Sequence, residues 1–461
     1  MKNIVLTLMI VSLTSLYINA QQQQMKISPP KEVVDKNGNL QMVNLQSKIL
    51  HQGNEIDLKK AIEMTIQSYP AIKQAEELVG VAEARINQQN TTYSPNIDVT
   101  ASYTRISPIP EFTFGGLSAA LAPANNYDAH LSLQHTVYDF GKRNAQSELV
   151  RSYKTSAVDN IDLLKSNLAF QTIQTFYSVL FLRQSLQVKD EQIDNLNKHM
   201  QVTQARIQSG SATDFDLSTT QVRLASVENQ RIDIENEIRK QEVNLRSLLG
   251  LPSSSEVNLK GDLQYSFSAV NADSLMKIAS VQRSELKLAK DSEISAEKMK
   301  QTSHLSDMPS LGVGLSYGIK NGLEPNIDAL RGNWAAGVLF HYPIYNGQRS
   351  RTMEEESEAN LLAAQAHTSE VELSIRTEIN RAISDIAASQ NQIQTVKVQV
   401  EHAKKALQRA ELQYRDGIIS NLDLLDVQTG LTEAQLSELQ IAYRNLVSFY
   451  QLKKAVGDKV W

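Results

Sequence analysis

Two stretches of this chain, residues 142–208 and 348–415, contain neither proline nor glycine. At 1.5 Å per residue, each can form a helix on the order of 100 Å long. Such helices exceed those of globular domains several-fold and need a packing partner along their whole extent. The segments that follow show where that partner lies. Heptad a and d positions counted from Leu217 are Leu217, Thr220, Leu224, Val227, Arg231, Ile234, Ile238, Gln241, Leu245 and Leu248, mostly apolar. Counted from Leu424 they are Leu424, Val427, Leu431, Ala434, Glu438, Ile441, Asn445, Ser448, Leu452 and Ala455. Both sets hold one 3.5-residue period in one register, the pattern of an antiparallel coiled-coil hairpin. The chain therefore reads as a long helical hairpin built twice.

The duplication extends beyond the helices. Leu248-Leu249-Gly250 returns as Ala455-Val456-Gly457, 207 positions on, and the segment 206–216 returns at 413–423 with the same offset. Asp139-Phe140-Gly141-Lys142 finds its partner in Tyr345-Asn346-Gly347-Gln348, and Pro95 and Tyr103 correspond to Pro309 and Tyr317. These landmarks keep their order along the chain, so each half reads as helix, strand, loop, strand, very long helix, tight turn and long helix. The first of these helices is expected to open near Asp57 and run to about Asn90.

The strands alternate cleanly. Ile97, Val99, Ala101 and Tyr103 share one face, against Asn96, Asp98, Thr100 and Ser102. A Pro/Gly-rich loop at 107–126 follows, then Ala129, Leu131, Leu133 and His135 alternate with His130, Ser132 and Gln134. The second half repeats the pattern with Leu311 to Ile319 and with Trp334 to Tyr342. Amphipathic strands of roughly 10 residues have the length of barrel strands that cross an outer membrane. Two half-buried hairpins of a soluble domain would show the same alternation. Four strands cannot close a barrel, because the smallest use about eight. A barrel reading thus demands several chains.

The start of the chain reads as a targeting segment: Lys2, a mostly apolar run from Ile4 to Ile18, then Asn19-Ala20 and a polar Gln tract. That run is too short for a permanent membrane helix and ends at a plausible cleavage site. The expected organisation is a signal peptide at 1–20 and an N-terminal extension at 21–54. A first repeat spans 55–255 (strands 94–105 and 127–138, hairpin 142–250) and a second 256–461 (strands 309–319 and 333–343, hairpin 347–457). With no cysteine, disulfides, thiolate metal sites and a lipidated N-terminal Cys are excluded. A net charge of −5 gives no argument for nucleic acid. The histidines show no metal-ligand spacing and read as lumen or surface residues. No catalytic constellation, cofactor motif or phosphate-cradling loop appears, so the chain does not read as an enzyme, and any energy its work requires must come from another protein.

On the paired turns (Gly210 with Asp214 to Asp216, Gly417 with Asn421 to Asp426), the strand-to-helix junctions, the Leu-Gly and Val-Gly helix ends and the half-chain duplication, the sequence resembles the TolC family of outer-membrane efflux proteins from residue 55 onward. The resemblance implies a mainly α fold with a transmembrane β-barrel. Three chains would give one 12-stranded barrel in outer-membrane lipid, continued by an α-helical barrel through the periplasm. It further implies a homotrimeric export duct coupled to a periplasmic adaptor and an inner-membrane pump, with no cofactor. The competing reading is a soluble periplasmic coiled-coil adaptor or scaffold, which predicts one hairpin between globular modules rather than two matched ones.

By this resemblance, Gly210 and Gly417 mark tips that contact the adaptor, although a helix reversal alone needs glycine there. Thr213 with Asp216 and Ser420 with Asp423 have capping-box spacing, so both aspartates have a structural role available. Asp426 corresponds to Thr219 in the first repeat, so capping does not require it. Asp423 and Asp426 share a helix face, and carboxylate rings bind and select cations at constrictions. The resemblance places Asp423, Asp426, Tyr414 and Asp216 at a periplasmic aperture. Ile419 stands where the family often has arginine, so no salt bridge is expected from that position.

Overall fold

The computed structural model describes residues 55–263 and 272–460. The signal-peptide and N-terminal-extension expectations at 1–54 lie outside the described residues. Helices α1 (Leu58–Ser68) and α2 (Pro70–Thr91) lead into strand β1 (Asn96–Arg105), the short pair β2 (Glu111–Phe114) and β3 (Leu117–Ala120), and β4 (Asn125–Tyr138). The first long hairpin follows as α3 (Lys142–Gln208) and α4 (Asp214–Leu249). The second repeat comprises α5 (Ala272–Gln282), α6 (Ser284–His304), β5 (Ser310–Lys320), β6 (Arg331–His341), α7 (Arg349–Arg415) and α8 (Asn421–Val456). The fold is thus mainly α with an antiparallel sheet.

Two local expectations are corrected. The single helix expected from Asp57 to about Asn90 breaks at Tyr69, which is extended at φ −72° and ψ 121°. Pro70 has no N–H to donate and disfavours helical geometry in the residue before it, so a second helix starts there. The loop at 107–126 contains the hairpin β2–β3, turned at Gly115 and Gly116 with φ of 62° and 85°. Paired positive φ angles belong to the tight turn that matches strand twist, which Gly-Gly adopts readily.

The heptad positions do what their period requires. Every a and d residue from Leu217 to Leu248 and from Leu424 to Ala455 is buried or half-buried. The capping boxes are formed: Thr213 Oγ1 accepts from Asp216 N at 3.2 Å, and Ser420 Oγ accepts from Asp423 N at 3.2 Å. Gly210 and Gly417 close the reversals at φ 72° and 75°, where a side chain would be strained.

The core gathers where the short helices meet the long ones. Ile173, Phe176, Val179 and Leu180 of α3 pack with Ala61 and Ile62 of α1 and with Leu245 and Leu249 of α4. In the second repeat, Ile375, Ile379, Ala382 and Ile386 of α7 pack with Ala279 of α5, Leu286 of α6, and Leu452, Ala455 and Val456 of α8. Each fully buried Leu, Ile or Phe stabilises by about 1.5–3 kcal/mol. Arg283, only 4% exposed, ties this second cluster: it donates to Glu285 (2.6 Å), Glu378 (2.7 Å) and the Lys454 carbonyl (2.8 Å). Each cluster girds the middle of one long helix, α3 or α7. Among the described residues, no helix is long and apolar enough to cross a membrane.

Candidate functional site

The strands pair in the order β1-β4-β5-β6, all antiparallel. The register aligns the faces across the whole sheet. Tyr103 lies opposite Tyr127, Leu131 opposite Tyr317, and Tyr317 opposite Trp334. Val99 with Leu131, Leu133 with Leu315, and Val313 with Val338 continue this apolar surface. The opposite face carries Asp98, Thr100, His130, Ser132, Gln134, Ser316 and Asn333. On the apolar face, Val99 is 79% exposed, Trp334 75% and Tyr317 69%. A contiguous apolar surface of this kind belongs against lipid or protein. It also carries aromatics at two levels, Trp334 near one end of β6 and Tyr342 beyond the other. At ~3.3 Å per residue these are about 26 Å apart along the strand. With the roughly 35–45° strand tilt of outer-membrane barrels this span rises about 20 Å, which falls within their ~25 Å apolar band and its aromatic girdles.

Among the described residues both sheet edges are open: β1 pairs only with β4, and β6 only with β5. The strands alternate in direction, so β1 and β6 run antiparallel to each other. The β6 edge of one copy can therefore pair with the β1 edge of the next. The helices repeat this lateral order. Beside the sheet the neighbours run α2-α3-α6-α7, and toward the tips α4-α3-α8-α7. The flanks are thus β1, α2 and α4 on one side, and β6 and α7 on the other. Apolar side chains stay exposed on both: Leu78 of α2, Phe215, Val222 and Val243 of α4, and Leu362, Leu373 and Leu412 of α7.

At the tips, the two hairpins are joined by a polar cluster. His199 Nε2 of α3 lies 2.5 Å from Asn421 Oδ1 at the start of α8. Asn421 Nδ2 donates to the Asp216 carbonyl and to Thr219 Oγ1, both at 3.1 Å. The Tyr414 ring packs on the His199 ring at 4.9 Å, and Arg206 donates to the Tyr414 carbonyl at 2.7 Å with its guanidinium 4.7 Å from that ring. Arg223 of α4 pairs with Asp426 of α8 at 3.4 Å.

The site residues read from the sequence fall into two groups. Tyr414 sits inside the joint, 7% exposed. Asp216 contributes its backbone carbonyl to the joint, while its side chain accepts from Thr213 N and Oγ1. Asp423 is fully exposed, and its carboxyl is held below the ordinary carboxylate range by the Ser420 hydroxyl and then the Ser420 N–H. Asp426 is not solitary but paired with Arg223. Ile419 supplies no salt bridge, and the cationic links come from Arg206 and Arg223 of the first hairpin. Reading all histidines as lumen or surface residues is corrected for His199, which is 6% exposed. The available signal was a polar run, His199 and Thr203, continuing the spacing of Leu196 along α3.

Comparison with known proteins points one way. The sequence profile of the family described as outer membrane efflux protein matches residues 61–251 and 277–458. The pyoverdine export outer membrane protein OpmQ of Pseudomonas putida is 26% identical, covering 74% of this chain and 72% of its own. Outer membrane protein TolC of Escherichia coli is 21% identical, over 85% of this chain and 80% of its own. Among solved structures, the outer membrane protein VceC of Vibrio cholerae superposes with a TM-score of 0.73 at 20% identity, covering 87% of this chain and 96% of that one. The outer-membrane channel OprN superposes with a TM-score of 0.75 at 15% identity, over 94% and 99%.

Proposed function

Since this chain belongs to the outer membrane efflux protein family, and is by that membership an outer-membrane subunit of an export duct, we propose that three copies close one ring. The observation that carries the ring is the sheet with one apolar face and two open, mutually antiparallel edges. Closure adds four strands per copy. Two copies would make eight, and an interior of about eight strands is filled by its own side chains. A through-passage therefore needs at least three copies, with the polar face as the wall of the bore. The matched flanks α4 and α7 would carry the ring down the helices. A soluble adaptor or scaffold offers no reason for the lipid-compatible face.

The test is the mass of the complex extracted from outer membranes in mild detergent, paired with conductance in planar bilayers. Three copies per particle with an aqueous pore are expected. A dispersed, non-conducting single copy would overturn the reading.

At the far end, the tips around Gly210 and Gly417 are the surface offered to a periplasmic adaptor, with an inner-membrane pump supplying energy. Tyr414, Asp216, Asp423 and Asp426 belong to the aperture there. In a ring, Asp423 and Asp426 bring two carboxylates per copy toward one axis, partly neutralised by Arg223. Divalent cations added at the tip side are expected to block current, and the Asp423→Asn/Asp426→Asn double variant to lose that block. Undiminished block in the variant would remove these residues from the aperture.

A further inference from the structure

The joint between the hairpins contains a titratable group with no part in capping or ion pairing. His199 is 6% exposed, clamped between the Asn421 amide and the Tyr414 ring. We propose that His199 is an acid-sensitive pin: proton uptake by its imidazole undoes this joint and lets the second hairpin part from the first, widening the inner aperture. This rests on the duct reading above.

A neutral imidazole suits the joint, since one ring nitrogen meets Asn421 Oδ1 and the ring meets that of Tyr414 edge-to-face. A second proton would place a full charge where little answers it. On its own helix stands Arg206, which repels it. From α4 comes the Asp216 carboxylate, already occupied by Thr213. From α7 the joint receives the phenol of Tyr414, and from α8 the uncharged Asn421 amide. Burying an unpaired charge is costly, so the protonated form favours whatever state exposes the ring. Burial accordingly pushes the imidazole below its ordinary 6.5, the Asn421 bond and Asp216 push upward, and Arg206 pushes down again. With the closed-state value depressed, the closed joint is favoured above the ordinary value and weakens as pH falls from there through the depressed one.

The joint also suits reversible release. It is made of hydrogen bonds and an edge-to-face ring pair beside one small apolar contact, Leu196 and Val227 with Leu425, so most of the groups it frees can be taken up by water.

The decisive measurement is conductance of the reconstituted protein with the tip side bathed from about pH 8 to about pH 5, a span that brackets histidine titration. Wild type is expected to conduct severalfold more in acid. His199→Gln, which keeps an amide for Asn421 but cannot titrate, is expected to show no acid response. A second readout does not depend on current. The chain has no cysteine, so spin labels on Ser209→Cys and Asp416→Cys, in complexes diluted with unlabelled copies, report the separation of the two tips within one copy. That separation should widen in acid with His199 present and stay fixed with His199→Gln. An acid response surviving in His199→Gln, or a wild-type tip separation indifferent to pH, overturns the pin. Tips that part in acid without any variant conducting would instead overturn the duct and leave the pin standing.

Discussion

The girdle and the tips are made from the same long helices, yet they are sealed by opposite chemistry. Around Phe176, Ile173 and Ile379, side chains that are at most 2% exposed sit in mainly apolar clusters, with the Thr65–Thr172 hydrogen bond and Arg283 at their margins. Near the tips, the contact between hairpins includes His199, Thr203, Thr220, Tyr414 and Asn421, polar and at most 7% exposed, beside the small apolar contact of Leu196 and Val227 with Leu425. Apolar contacts resist water from every direction. Hydrogen bonds can be exchanged for water at a net cost of only about 0.5–1.5 kcal/mol each. One end of the molecule is therefore built to hold its shape and the other to give way.

Breaking the girdle should have the largest effect. Phe176→Ala removes a fully buried ring and is expected to cost about 3–5 kcal/mol, seen as a lower denaturation midpoint and a reduced yield of assembled complex. Asn421→Ala should do the reverse in kind. It removes the amide that joins His199, Asp216 and Thr219, so about 1–2 kcal/mol of local stability is lost while thermal unfolding of the whole barely moves. Its signature is raised conductance at neutral pH. If Asn421→Ala instead unfolds the protein, the contrast between the two regions fails.

The smallest effect is expected at the helix starts. Thr213→Ala removes a cap worth about 1 kcal/mol to α4, measurable as faster amide exchange in its first turn. Ser420→Ala adds a pH signature. The Asp423 carboxyl is held below its ordinary 3.8 by Ser420, so its contribution is present above that value and is lost as pH falls through the depressed one. Removing Ser420 should flatten the acid dependence of exchange at the start of α8.

Periodicity made the architecture legible. A 3.5-residue period locates the hairpins, a period of two locates the strands, and the recurrence of Gly250 as Gly457 shows one plan used twice. Local chemistry not weighed in that reading explains the two corrections: Pro70 breaks a helix, and Gly115-Gly116 turns a hairpin. The joint at the tips was legible only in part. Tyr414 and the capping aspartates stand near recognisable turns. His199 meets Asn421 across 222 positions, and the meeting depends on how two supercoiled hairpins are phased. No local pattern encodes that phase. Asp426 likewise gave no hint of Arg223, which lies in the other repeat.

The unpaired margins of β1 and β6 govern how such a molecule can be made. A solitary copy arriving in an aqueous compartment would display two ragged hydrogen-bonding borders beside a greasy panel, a combination that invites clumping. In the proposed ring, sibling copies satisfy the borders and lipid satisfies the panel. Insertion and assembly would then be a single act, and whatever escorts the newborn chain would have to shield both until its siblings arrive.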